Sequence, residues 1–371
     1  MKLARIFALM SVGVAAGGIF LFQGCSSSST TDSSGSNVGK PPAKPASGTP
    51  TASTTEHNFA IYNLLLGDAP RGTGAAQSTT AWKKFGYNID GKVSTRNSTD
   101  VCKVSNSGPK SVHDNGDNGI DNSFGANILP IVLNTAGAEG PSKINQAITD
   151  GSFTIMFDVL GLDDSPTQTN TGLTAQVLAG GAFDAVGKTK PTFTMADNWA
   201  VRPELLSNKT DPKSSMVKFS DAYVVNGTFV NADQGSANSD ITIALSFSGV
   251  ALSLTIHKAI VTFDHTQAGL ADNGTIAGVI GTEELITGLK AVAGRISTSL
   301  CTGSAFDGIA GQIKQASDIM QDGTQSADAT CDGISIGLGF VAKQIGNPQK
   351  VGDLAAPSPD PCSAPADAGA D

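Results

Sequence analysis

Charge is scarce in this chain. Lys and Arg number 24 and Asp and Glu 33 among 371 residues, so only 15% are charged, against about 25% in ordinary soluble proteins. Coiled coils and helical bundles are built on Glu, Lys and Arg, and are excluded. The net charge of −9 has the wrong sign for phosphate contacts and argues against a nucleic-acid partner. Glutamate is confined to Glu56, Glu139, Glu204, Glu283 and Glu284, and the spaced Glu/Asp strand signature of jelly-roll glycosidases is missing. There is no HExxH, hence no zinc-protease helix, and no GxSxG, hence no hydrolase nucleophile elbow. Without a CxxC, a thiol redox site or zinc ribbon has no support. Two SxxK matches, at 107–110 and 215–218, lack a KTG partner and are chance patterns.

What is abundant is small and polar: 43 Gly, with Ser and Thr outnumbering the charged residues, beside 39% hydrophobic residues. That hydrophobic share excludes wholesale disorder. The balance points to a turn-rich β protein with some helix.

The longest uncharged apolar run is at the N-terminus. Lys2 and Arg5 precede Ile6 to Phe22, and polarity changes abruptly after Gly24-Cys25. This is the layout of a secretory signal. Gly24-Cys25 resembles the lipid-attachment site of a bacterial lipoprotein signal, although Phe22 and Gln23 are atypical before it. The resemblance implies a signal over 1–24, lipid on Cys25, and export with a membrane as partner through that lipid. Ser26 rather than Asp after the cysteine implies the outer membrane. Residues 25–57 are Ser, Thr and Pro-rich with one aliphatic, Val38, and are expected to form a flexible tether with a reach of roughly 30 Å. Loss of Lys2 and Arg5 would make the mature chain two charges more negative. The globular domain is expected over 58–355, and the Pro/Ala/Asp-rich 356–371 as a disordered acidic tail.

Within the body, Ile241, Ile243, Leu245 and Phe247 alternate with small polar residues. The pattern resumes with switched parity at Val250, Leu252, Leu254 and Ile256, as a turn or bulge at Ser248-Gly249 requires. Further strands are expected at 153–160, 223–230 and 334–341, and turns at Asn226-Gly227 and Asn273-Gly274. Leu285, Leu289, Val292, Ile296 and Leu300 instead follow helical spacing, with Glu283 and Glu284 in the favourable first turn. A second helix follows through Phe306, Ile309 and Ile313, and a shorter one is expected at 142–148. The predicted fold class is α+β, mainly antiparallel β of sandwich or jelly-roll type, with a helical pair near 282–320 toward the C-terminal end. No run of alternating βα units supports a Rossmann-like sheet. Gly337-Leu-Gly339, which resembles the start of a dinucleotide fingerprint, is better explained as glycines in a packed strand.

Once Cys25 is assigned to lipid, Cys102, Cys301, Cys331 and Cys362 remain, an even set suited to an oxidising compartment. Two disulfides are expected, with Cys301–Cys331 clamping the helical pair and Cys102–Cys362 tying back the tail; the alternative is one bridge and two free thiols.

The segment from His113 to Asn122 reads HDNGDNGIDN. Asp114, Asp117 and Asp121 supply hard oxygens of the kind a structural calcium ion takes, though not at EF-hand spacing. The alternative is a pair of Asn-Gly turns with solvated Asp. Asp163-Asp164 is a second acidic loop, read as a strand-end turn, the alternative being that it helps hold a cation. Of the four histidines, His57 stands at the tether's edge, His257 is expected to be structural and His265 solvated. Trp82, with Tyr87 nearby, is the candidate stacking platform for a glycan. Asp158, Asp221 and Asp264 are the carboxylates available for a spatially assembled pair.

Two blocks, 114–125 and 316–340, resemble Gram-negative surface lipoproteins with no assigned activity. The functions that follow are a non-enzymatic, lipid-anchored module binding a glycan or partner protein, a glycosidase-like hydrolase with an assembled carboxylate site, or a structural envelope component.

Overall fold

A computed structural model describes residues 39–46 and 54–352, apart from 73, 106–111, 137–139, 185–186, 232–239, 248–249, 297 and 302, together with Cys362. All of these belong to the unit Asn37–Asp371. Cys25 and the tail beyond Cys362 lie outside the described residues.

Nine strands form one antiparallel system: β1 (Glu56–Leu65), β2 (Thr154–Leu160), β3 (Asn170–Gly180), β4 (Lys218–Val225), β5 (Thr228–Val230), β6 (Ile241–Phe247), β7 (Val250–Asp264), β8 (Leu270–Gly281) and β9 (Gly333–Ile345). The order runs β5-β4-β3-β2-β1-β9-β8-β7-β6, and a further pairing of β5 with β7 closes eight of them into a barrel. The expected sandwich or jelly roll is therefore wrong. The physical reason lies in β7, whose 15 residues serve two partners. Its first half pairs with β6, which stays outside the ring, and its second half pairs with β5. Alternation in the sequence reports one buried face, which a sandwich and a barrel share.

Aromatic side chains fill the inside. Phe59 stands opposite Phe157, and Phe229 opposite Phe263. The rings of Phe229 and Phe263 are 4.6 Å apart, and Phe157 stacks on Phe340 at 5.1 Å. Each buried side chain of this size contributes about 1.5–3 kcal/mol, so the interior is a packed core.

A bulge keeps β7 in the wall. Leu254 and Ile256 join the core on one parity, then Ala259, Val261 and Phe263 on the other. The switch falls where the register with β8 slips between His257 and Ile260, and Lys258 has φ 52°. Asn273-Gly274 is likewise not a free turn. It lies within β8, at a register shift, and a Cβ on Gly274 would sit 2.4 Å from the Phe340 ring. Asn226-Gly227, by contrast, does join β4 to β5.

Among the described residues four α-helices lie outside the barrel: α1 (Leu129–Ala136), α2 (Gly140–Thr149), α3 (Thr282–Ile296) and α4 (Gly303–Gln315). The last two are the expected helical pair. The segment 81–125 packs on the outer face of β9 through Asn122. Its Nδ2 donates to the carbonyls of Trp82, Phe85 and Gly337, and its Oδ1 accepts from the N–H groups of Gly125 and Gly337. A Cβ on Gly337 would meet the Phe85 carbonyl oxygen at 2.2 Å, so the Gly-x-Gly of this strand serves close packing.

Two disulfides form from the expected four cysteines, but neither expected pairing does. Cys102 bonds Cys331 and Cys301 bonds Cys362. Cys331 directly precedes β9, and the isolated bridge Lys103–Thr330 aligns its segment with Cys102, not with the helical pair. Residues from the predicted tether also lie on the body: Tyr223 donates to the Pro42 carbonyl and Lys44 pairs with Asp221.

Candidate metal centre

One end of the barrel gathers the start of β1, the end of β7 and the loop between β2 and β3. His57 shares parity with the inward Phe59 and stacks on it, the rings 9° from parallel. His265, immediately after β7, meets Phe59 and His57 edge-on at 5.4 and 5.5 Å. Strands β1 and β7 are not neighbours; closure of the barrel brings them across its end. The His57 and His265 side chains are 3% and 0% exposed, while that of Asp164 is 60% exposed and covers them from the loop.

The Asp164 Oδ1 lies 3.4 Å from His57 Nε2 and 3.3 Å from His265 Nε2, and the three atoms all fall within 4.8 Å of one another. Among the described residues this is the one group of three or more such donors that converges. Both distances exceed the about 2.7–2.9 Å of a charge-assisted hydrogen bond. Each is close to the about 3.3–3.4 Å edge of a tetrahedron whose ligands stand about 2.0–2.1 Å from a central ion, and the third separation is within 4.8 Å.

Hydrogen bonding favours the same conclusion. His265 Nδ1 is 2.8 Å from the Leu270 carbonyl oxygen. A carbonyl only accepts, so Nδ1 carries a proton, and Nε2 is the nitrogen that faces Asp164. Burial, reinforced by His265, pushes the His57 pKa below its ordinary value. A cation placed between the two imidazoles and the carboxylate would take one donor atom from each. The Leu270 contact is also the outer brace that ligating histidines have. His57 lacks one: its buried Nδ1 has no hydrogen-bond partner.

The loop that carries Asp164 is held on both sides. Gly161 N–H donates to the Thr55 carbonyl, and Gly227 N–H to the Gln168 carbonyl. His265 N–H donates to the Gly227 carbonyl. Gly227 has φ 79°, and a Cβ there would lie 2.4 Å from the Pro166 carbonyl oxygen. Only glycine lets the β4–β5 turn approach the loop so closely. Two imidazoles and one carboxylate suit zinc, iron(II) or a neighbouring transition metal and not calcium.

The sequence-predicted calcium residues are not brought together. Asp114 pairs with Arg96 at 2.7 Å, Asp117 is exposed, and Asp121 is 1% exposed. Asp121 accepts from the Ile89 N–H, and burial together with Asp90 and Asp318 pushes its pKa well up. These side chains stitch the 81–125 segment together instead of surrounding an ion, and Asn118-Gly119 forms a turn. Trp82 is half-buried, with its indole N–H on the Thr79 carbonyl. The Tyr87 hydroxyl bonds Thr262 at 2.7 Å.

The three carboxylates available for an assembled pair each have another partner. Asp221 pairs with Lys44, and Asp264 with Thr228 and Asn273. Asp158 instead adjoins Glu56, where burial raises its pKa to about 6. Adjacent carboxyls leave no room for a sugar between them. His257 donates to Asp240 and Glu284 from its two nitrogens, at 2.8 and 2.9 Å, so neither nitrogen is free to act as a base.

Sequence inspection missed the centre because its ligands stand far apart in the chain and carry no local motif. His265, expected to be solvated, is fully buried. The available signal was histidine scarcity: two of four sit at strand ends, and Asp164 follows a third strand. Compared with protein-family models, curated proteins and solved structures, the chain matches none of them.

Proposed function

We propose that this chain is an exported, lipid-anchored module that binds a divalent transition-metal ion at one rim of its barrel. His57 and His265 are the imidazole ligands and Asp164 the carboxylate. The observation that carries this is the triangle of donor atoms with edges of 3.3 and 3.4 Å around the shared Asp164 oxygen. Its supporting features are the buried rings, the protonated Nδ1 of His265 and the packed interior, which leaves the rim as the place for a ligand. The address rests on the Lys2–Cys25 signal and the tether after it.

The test is metal retention by the full-length chain after dialysis against zinc. A single equivalent is expected, with His265→Gln and Asp164→Asn each weakening zinc more than about 100-fold. Equal retention by all three proteins overturns the assignment. For the anchor, palmitate should label the wild type and not Cys25→Ser.

A further inference from the structure

We infer, resting on the metal reading above, that the ion keeps one coordination position for a small anion with a single donor atom supplied from outside the chain. Three protein donors converge at the rim among the described residues. A four-coordinate ion therefore has one position left, the arrangement found where a metal takes water or substrate. The neighbouring carboxylates are committed elsewhere. Asp163 accepts from the Ser165 N–H at 2.8 Å and faces Asn170, and Asp264 accepts from Thr228 and Asn273. Neither can turn to the ion without abandoning those donors.

Charge selects the class of ligand. A divalent ion with one carboxylate and two neutral imidazoles carries a net positive charge. Because both rings are almost fully buried, that charge is poorly screened and favours an anionic donor over a neutral one. Access selects its size. The rings are closed in by Phe59 beneath and by the loop above, so the approach is past the exposed Asp164. A hydroxide, carboxylate oxygen or azide fits this description; a bulky chelating ligand does not.

Cobalt(II) substituted into the full-length chain reports the position directly, because its visible spectrum depends on coordination. Azide is expected to shift the bands saturably. Without azide, the bands should titrate near neutral pH as bound water ionises, at about the pKa of 7 known for such waters, and azide should suppress that titration. Cobalt-loaded protein whose spectrum ignores both azide and pH overturns the inference, since the second Asp164 oxygen or another protein group would then fill the position. Failure to retain cobalt or zinc at all overturns the metal reading itself, a distinct result.

Discussion

His57 and His257 place opposite demands on pH. The folded-state pKa of His57 is lowered, chiefly by burial, so the folded chain binds fewer protons there than the unfolded one. Its contribution to stability is present above the unfolded value of about 6.5 and is lost as pH falls through the folded value. His257 loses some proton affinity to burial but gains more from Glu284 and Asp240, and its pKa is raised. Its contribution is complete below about 6.5 and is lost as pH rises through the folded value. Thermal melts of the metal-free chain against pH should therefore show His57→Gln blunting the acid-side loss of stability and His257→Gln blunting a loss on the alkaline side. Identical profiles for wild type and variants would refute both assignments. Because protons and metal compete for the same nitrogens, zinc affinity of the wild type should also fall on acidification.

At the scale of elements, alternation marks the β6–β7 hairpin, and short apolar runs mark β2 and β9, which are buried on both faces. The β6–β7 hairpin alternates cleanly and was found with its parity switch. Strand β1 was assigned in part to a tether because it is buried on both faces through Phe59, Ala60 and Ile61 and shows no alternation. Strand β8 is masked in the sequence by Asn273-Gly274, which reads as a turn, whereas Gly274 admits the Phe340 ring and Gly278 the β7 backbone. The attachment of the 81–125 layer to β9 concentrates on Asn122, a buried side chain with five hydrogen-bond partners. Asn122→Ala leaves several buried groups unpaired at about 1–3 kcal/mol each, and should lower unfolding free energy by at least about 2 kcal/mol. Gly337→Ala should cost about 1–3 kcal/mol by overpacking against Phe85. Urea denaturation measures both, and unaltered midpoints would show that the layer is not held there.

For the whole molecule, closure is what the sequence concealed. The β5–β7 pairing that turns a sheet into a barrel involves only Thr228, Phe229 and Val230, and no periodicity distinguishes such a contact from a solvent-facing edge. Closure also explains the legibility of the site: residues 57, 164 and 265 become neighbours only when β1 and β7 meet across the barrel end. The cysteines were identified correctly as a set, but their pairing depends on which loops the barrel brings together. Bridge Cys102–Cys331 spans 229 residues, so the chain-entropy account gives it about 5.5 kcal/mol. Non-reducing peptide mapping should recover Cys102 with Cys331 and Cys301 with Cys362, and a Cys301–Cys331 peptide would contradict the topology. The central claim is the metal centre, and X-ray absorption at the zinc edge of the loaded, full-length chain tests it most directly. The structure predicts a first shell of nitrogen and oxygen alone at about 2.0–2.1 Å, with the outer-ring scattering of two imidazoles. Sulfur scatterers near about 2.3 Å, or a shell without imidazole, would contradict it.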